Sequence, residues 1–400
     1  MEGFFSVSEV TAKKPNQSIL PQCGVCKLYT GCTSPKMEPA GEGRRRILVV
    51  GESPTEPDDA TGLHFHGERG DFLKQRLQWL RVNLLRDCWV TNALICKNDG
   101  ADDDKRVDYC RPNLLATIKR LQPEVIIPLG RLAVRSVLGH VWKDDIGDLE
   151  RWVGWQIPSQ KLNAWICPTW SAYDLIRRDS QIRSAMYEKH LKAATSLEGR
   201  PWAVVPDYKA QVELMHDPER AAKFIRKVER VGGRIAFDYE SNTLKPDPEH
   251  ASLRACSICW EGERTVAFPW LGAVVPAMRE LLASKSTAKF GANIKHEHKW
   301  TAKKLGVWVR NWKWDVMVAA HVIDNRDGIV SLKFQGFVLD GVSPWNTNLD
   351  KLLKSEDGTG NGVNRIKDIS LDDLLLYNGL DSLVNYKVAI RQMNILGVPT

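Results

Sequence analysis

Short, unbroken apolar runs alternate with amphipathic stretches through the first half of the chain. Ile47-Leu48-Val49-Val50-Gly51 predicts a buried strand that ends in a functional turn. Over residues 69–86, Phe72, Leu73, Leu77, Leu80 and Leu84 recur at helical spacing and predict one helix. Trp89 to Cys96 predicts a second strand, residues 98–108 an acidic surface loop, and Cys110 opens a helix that runs to Leu121. Glu124 to Gly130 predicts a third buried strand and Arg131 to Leu138 a helix. Such strand–helix alternation implies a mostly parallel α/β sheet. The first 20 or so residues are polar and predict a loosely held start.

The pattern changes after residues 195–220, where Gly199, Pro201 and Pro206 mark a boundary. Pro218 to Arg230 predicts a helix and Arg234 to Phe237 a strand. Leu253 to Trp260 and Arg264 to Phe268 predict an antiparallel pair. Helices follow, the last from Leu371 to Met393. Strands first and helices later predict a mixed sheet. No internal repeat is visible.

The 400 residues, 43% hydrophobic and 26% charged, suit two globular domains. A net charge of +7 suits a polyanionic partner without proving one. Fifteen Trp is high, and Trp stacks on bases as readily as it fills cores. The start lacks a basic segment followed by an apolar run, and no apolar stretch reaches the ~18–20 residues of a membrane span. The expectation is a soluble cytoplasmic protein with no membrane partner. Thiols are reduced there, so the nine Cys read as metal ligands and core residues rather than disulfides.

Acidic residues carry the chemistry of the second half. Asp238 and Glu240 stand two apart on a predicted strand and share a face. Tyr377 and Asp381 stand four apart on a predicted helix and also share a face. With Glu297 between them in the chain, they can supply the carboxylates for two divalent metals, Mg²⁺ or Mn²⁺. Asp238 is the natural bridging ligand, Glu240 and Asp381 flank it, and the Tyr377 hydroxyl orients water.

From about residue 203 onward the chain resembles the 3′–5′ proofreading exonuclease domain of family A DNA polymerases, the DEDDy type, within the group that includes ribonuclease D. Asp238 and Glu240 match the first motif. Gly291-Ala292-Asn293-Ile294-Lys295-His296-Glu297 matches the second, and Tyr377 with Asp381 the third. The family usually has Asp where Glu297 stands. Asp315, in Trp314-Asp315-Val316-Met317, reads as a helix cap. His296 and His298 read as surface side chains, and Cys256 and Cys259 as core.

Cys23 and Cys26 form a Cys-x-x-Cys, and Cys96 and Cys110 follow. Four thiolates suit zinc or an iron–sulfur cluster. Residues 20–195 resemble the iron–sulfur uracil-DNA glycosylases, family 4. The resemblance implies a [4Fe–4S] cluster on Cys23, Cys26, Cys96 and Cys110, with Cys32 a bystander. It implies a base pocket formed by Glu52, Phe65 and Asn92, in Gly51-Glu52-Ser53-Pro54, His64-Phe65-His66-Gly67 and Thr91-Asn92. Two departures stand out. Thr55 replaces a Gly, and Trp170 stands where a His would offset charge on a departing uracil. Trp donates but cannot become cationic. Arg44-Arg45-Arg46, Arg131 with Arg135, and Arg177-Arg178 are candidate phosphate contacts.

The expected fold is a glycosylase-like three-layer α/β/α domain over residues 1–198, then a ribonuclease H-like domain with a mixed sheet over 203–400. The expected function is metal-dependent 3′–5′ DNA exonuclease acting on single-stranded DNA or a 3′ end, with the first domain gripping DNA or a partner. The alternatives are a uracil-DNA glycosylase of base excision repair and a non-catalytic scaffold or accessory subunit for a separately encoded DNA polymerase. Such a fusion resembles what bacteriophage replication genes carry, which would place the protein in the host cytoplasm.

Overall fold

The structure, a computed structural model, describes residues 20–100, 103–142, 145–177, 180–345, 347–355 and 357–399. The polar start and Arg178 lie outside the described residues.

The first sheet holds β1 (Ile47–Gly51), β2 (Cys88–Asn92), β3 (Val125–Pro128), β4 (Ile157–Ser159) and β5 (Ala164–Ile166) in the order β2-β1-β3-β5-β4. All neighbours are parallel except β4 and β5. Side chains alternate across this sheet, so each strand feeds two cores. Leu48, Val50 and Ile126 pack under the helices Asp103–Leu121 and Arg131–Val141. Ile47, Val49, Val125 and Ile127 pack under Glu68–Trp79 and Gln181–Thr195. The result is the expected three-layer arrangement.

Boundaries differ from the pattern reading in three places. The helix expected over 69–86 stops at Trp79, because Arg81 turns left-handed at φ 60°, and a second short helix, Leu84–Asp87, is capped by Asn83. The strand expected to reach Cys96 ends at Asn92. The expected acidic loop is partly helix from Asp103, whose first-turn carboxylates suit the positive helix N-terminus.

The second sheet holds β6 (Val212–Leu214), β7 (Gly233–Ser241), β8 (Leu253–Trp260), β9 (Arg264–Pro269), β10 (Thr287–Gly291) and β11 (Trp312–Asp315), in the order β11-β10-β7-β8-β9-β6. It is mixed: β7, β8 and β9 are antiparallel neighbours, and the other pairs are parallel. Along β7, Ile235, Phe237 and Tyr239 face a core shared with the helices Pro218–Val231 and Val274–Ala283. The opposite face of β7 meets the helix Leu371–Ile395, whose Leu375, Leu380 and Leu383 pack around Ala236. Period two therefore places Asp238 and Glu240 on the face of that helix.

One helix ties the two sheets together. Phe334 and Phe337, from Leu332–Asp340, enter the aromatic core of the first sheet. Their ring centroids lie 5.1 Å from Trp152 and 5.2 Å from Trp142, respectively. Nearby, Arg326 donates to the carbonyls of Glu150 and Val153 at 2.6 and 2.8 Å. No described helix is long and apolar enough to cross a membrane.

Candidate functional site

β7 and the helix Leu371–Ile395 bring three acids from distant sequence together. One ligand atom each of Asp238, Glu240 and Asp381 lies within 4.8 Å of the others. Glu240 is 8% exposed, while Asp238 and Asp381 keep partial contact with solvent. Asn378, one turn before Asp381, donates its side-chain amide to Asp238 Oδ2 at 2.7 Å. Burial pushes the Asp238 carboxyl up to about 7. Burial, and then the neighbouring acids, push Glu240 and Asp381 well above the carboxylate range. Three ionised carboxylates this close repel one another, and a bound cation relieves that.

Glu297 stands just outside this tight group. It lies in the first turn of the helix Ile294–Leu305 and is 2% exposed. Burial and the charge of Asp238 raise its pKa strongly. Its Oε2 is buried without a hydrogen-bond partner. A desolvated oxygen without a donor is costly, and a metal ion satisfies it. Asp238, Glu240 and Asp381 therefore fit a divalent metal of the kind the sequence implied, and the Glu297 oxygen is a candidate further ligand. Asp315 does not join them. It caps the helix Val316–Ile323 at Met317 N and Val318 N, and also accepts from Asn293 N and Ile294 N, which fixes the turn leading to Glu297.

Tyr377 reaches the same site, but its hydroxyl already has partners. It donates to Asp350 Oδ1 at 2.9 Å, and Lys333 Nζ lies 3.3 Å away. Lys333 is also paired with Asp350. Its charge opposes the upward shift at both Glu240 and Asp381. Sequence reasoning missed Asn378, Lys333 and Asp350. The Asn378 position inside the Tyr-Asn-Gly-Leu-Asp segment offered a signal; the other two offered none.

His296 and His298, read as surface side chains, are both partly buried. His296 lines a groove beside Glu240 with Ser241, Thr243, Thr359 and Asn364, and burial pushes its imidazole down to about 4. Cys256 and Cys259 are fully buried in the core, as expected.

In the first domain, Cys23, Cys26, Cys96 and Cys110 line a single cavity, together with Tyr29 and Tyr109. The pair Cys23 and Cys26 sits on a one-turn helix packed against the helix that carries Cys110. Cys96 accepts from Lys36 N at 3.3 Å, and Cys110 from the Asn113 amide at 3.5 Å. Four converging thiols with backbone and amide donors aimed at sulfur suit a soft, thiolate-bound metal group. Cys32 lies outside the lining and donates to the Leu28 carbonyl at 3.2 Å.

Glu52, Phe65 and Asn92 converge on another pocket at the carboxyl end of β1. A Cβ on Gly51 would run into Asn92 Oδ1 and lie 3.1 Å from the Phe65 ring, so Gly is required there. Asn92 Nδ2 lies 3.2 Å from His64 Nδ1, which orients the amide. Glu52 accepts from Leu132 N at 3.0 Å, and burial raises its pKa. Thr55 is unstrained at φ −82° and caps the next helix with Asp58, so losing the Gly costs nothing in backbone energy. Trp170 turns away from this pocket. Its indole N–H donates to the Glu150 carboxylate at 3.0 Å, and its ring stacks on His190. His66 and Arg69 line the pocket instead, neither singled out from sequence.

Most of the expected phosphate-binding arginines are already engaged. Arg44 pairs with Glu42, Arg46 with Glu124, and Arg131 and Arg135 with Asp104. Arg45 donates to the Thr195 carbonyl and Arg177 to the Tyr173 hydroxyl at 2.6 Å.

Comparison with known proteins agrees with both halves of this description. Residues 39–195 match the uracil DNA glycosylase superfamily and residues 212–392 match a 3′–5′ exonuclease family. The chain thus joins a domain of the uracil DNA glycosylase superfamily to a 3′–5′ exonuclease domain, as the resemblances implied. The type-4 uracil-DNA glycosylase of Pyrobaculum aerophilum is 29% identical over 138 residues, 33% of this chain and 68% of that protein. That of Saccharolobus solfataricus is 25% identical over 187 residues, 45% of this chain and 84% of that protein. That of Thermotoga maritima is 32% identical over 117 residues, 28% of this chain and 59% of that protein. Among solved structures, Escherichia coli RNase D is similar at 14% identity, covering 47% of each chain with a TM-score of 0.35. The catalytic core of RRP6 from Trypanosoma brucei is similar at 14% identity, covering 46% of this chain and 48% or 47% of the two structures' chains, each with a TM-score of 0.36. The match therefore spans about half the length of these two proteins.

Proposed function

We propose that the chain is a metal-dependent 3′–5′ exonuclease on single-stranded DNA, its glycosylase-like domain serving as a DNA grip. The observation that carries this is the convergence of Asp238, Glu240 and Asp381, with the unpartnered Glu297 oxygen beside them. Asp238, Glu240, Asp381 and Glu297 would hold two Mg²⁺ or Mn²⁺, which when bound neutralise phosphate charge and lower the pKa of water. Asn378 fixes the Asp238 carboxylate through its amide. The Tyr377 hydroxyl donates to Asp350 and accepts from Lys333, and its remaining lone pair would accept from and orient the reacting water. The His296 groove receives the terminal nucleotide. The working test is digestion of a 3′-labelled and a 5′-labelled strand with Mn²⁺ and with EDTA. Stepwise loss from the 3′ end, only with metal, is expected; metal-independent cleavage or attack at the 5′ end would overturn the reading.

Asp350 acts through Tyr377 and is a positioning residue. Asp350→Asn is expected to lower kcat roughly 10–100-fold, the usual cost of losing an orienting partner, with KM nearly unchanged. Steady-state hydrolysis across pH checks this. A rise in KM alone would show that Asp350 serves binding.

In the first domain, Cys23, Cys26, Cys96 and Cys110 would hold a [4Fe–4S] cluster, which braces the DNA-facing loops. Glu52, Phe65 and Asn92 would receive an extruded base. Trp170 faces Glu150, so the charge offset that the expected His would give is missing. Uracil excision is accordingly expected to stay at background in EDTA, scored as alkali-labile sites in a uracil-containing duplex. Robust cleavage would instead favour the repair-glycosylase reading. A separately encoded DNA polymerase is the natural partner for such a nuclease in replication, within a bacterial cytoplasm that a bacteriophage has entered.

A further inference from the structure

We propose that the outer face of the helix Ile294–Leu305, with the loop that follows it, is a track for a single nucleic acid strand, and that Trp308 is its base-stacking platform. The proposal deepens the exonuclease reading and rests on it. Lys295, Lys299 and Lys303 recur every fourth residue, so they share one side of the helix, and all three are exposed. Glu297 lies on the opposite, buried side of the same helix. The near end of the cationic row therefore stands two residues from Glu297, and the row runs about 12 Å along the helix to Lys303.

The loop continues the charge. Residues 298–314 hold five Lys and Arg and no Asp or Glu. Arg310 and Lys313 in this stretch are exposed. Among the described residues, Lys295, Lys299, Lys303, Arg310 and Lys313 have no acidic partner, unlike Arg44, Arg46, Arg131 and Arg135. Unpaired cations along the helix and the segment that follows it, without interspersed acids, complement a polyanion and raise local affinity for phosphates.

A charged face alone is often only solvated. The aromatic arrangement separates this one from that case. Trp308 is 58% exposed, a large apolar ring left in water. It is stacked nearly parallel on His298, with centroids 5.0 Å apart and planes at 24°. The Trp312 indole donates to His298 Nδ1 at 3.3 Å and so fixes the ring beneath it. One face of Trp308 is thus supported, and the ring is held as a flat platform. A platform beside a row of unpaired cations is the combination that binds single strands without reading sequence.

The test is fluorescence anisotropy of labelled dT15 and rU15 in EDTA, where no hydrolysis interferes. The triple variant Lys299→Glu, Lys303→Glu, Arg310→Glu should bind at least ~10-fold more weakly at low salt. Its slope of log affinity against log salt should fall by about 2, since each lost phosphate contact contributes ~0.7 on a single strand. Trp308→Ala should lose roughly 5- to 100-fold, the effect of removing one stacking partner, with the salt slope unchanged. Weakening with dT15 only, or with both strands, supports the track and tells which sugar it accepts. Unchanged affinity and slope in both variants, or a parent that binds neither strand at low salt, overturns it. The variants change exposed side chains, and an unaltered thermal midpoint confirms the fold. If the parent binds through these residues yet never cuts in Mn²⁺, the track stands and the exonuclease reading falls.

Discussion

Asp238→Asn is expected to abolish strand hydrolysis while making the metal-free protein more stable. Asp238 is the acid common to the whole cluster: it grips Asn378 and raises the pKa of Glu240, Glu297 and Asp381. Removing its charge would remove the carboxylate around which the proposed cation site is built. Losing an outer partner of a metal ligand typically costs ~10–100-fold, so losing a carboxylate that would itself hold the cations should cost roughly 10³-fold or more in kcat. The amide keeps the shape of the carboxylate and still offers an oxygen to the Asn378 donor, so the fold is preserved. In EDTA the parent must bury several mutually repelling carboxylates, and the variant buries one fewer. Its thermal midpoint should therefore lie above that of the parent without metal and below it with Mn²⁺. A purely structural acid would move both midpoints downward. Full activity in the variant would remove the metal assignment.

The acids were legible in sequence because strand and helix periods are rigid. A spacing of two in β7 and of four in Leu371–Ile395 places Asp238, Glu240, Tyr377 and Asp381 on faces that packing then presses together. Lys333 and Asp350 obey no such period. Lys333 comes from a helix whose position is set by Phe334 and Phe337 packing into the other domain, and Asp350 from the separate short helix Thr347–Leu352, so no local pattern announces their meeting. The partner of Trp170 was hidden for the same reason. Its substitution for a His was readable, but its turn toward Glu150 depends on a residue 20 positions earlier in the chain. β10 escaped the pattern reading because Lys289 interrupts its apolar run. That lysine is fully buried, and its ammonium donates to the Ser284 carbonyl at 2.6 Å. β11 alternates Trp with Lys and is only partly buried, so its edge position weakened the signal.

The metal-free protein should lose stability as pH rises from about 4 to 7, and added Mn²⁺ should restore more of it at pH 8 than at pH 5.5. The sign follows from Asp238. Its carboxyl ordinarily titrates near 3.8 and is pushed up to about 7 in the fold by burial. Below the ordinary value both folded and unfolded chains hold the proton, and there is no difference between them. Between the two values the unfolded chain has released it while the folded one retains it, so each step up in pH favours unfolding. Above about 7 the full penalty applies, on the order of 4 kcal/mol for a shift of this size. Glu240, Asp381 and Glu297 are shifted in the same direction, and they extend the decline to higher pH. A divalent ion held by these acids would reverse it, because it would bind the ionised carboxylates and displace their protons. Scanning calorimetry of the full chain in EDTA and in Mn²⁺ at the two pH values measures both effects, and proton release on Mn²⁺ binding should be greater at pH 5.5 than at pH 8. A midpoint that is flat with pH in EDTA, with equal metal shifts at both pH values, would mean that the four acids do not share a desolvated cation site. Asp238→Asn should flatten the lower part of the decline, because it removes the acid that titrates there and weakens the repulsion that displaces the rest.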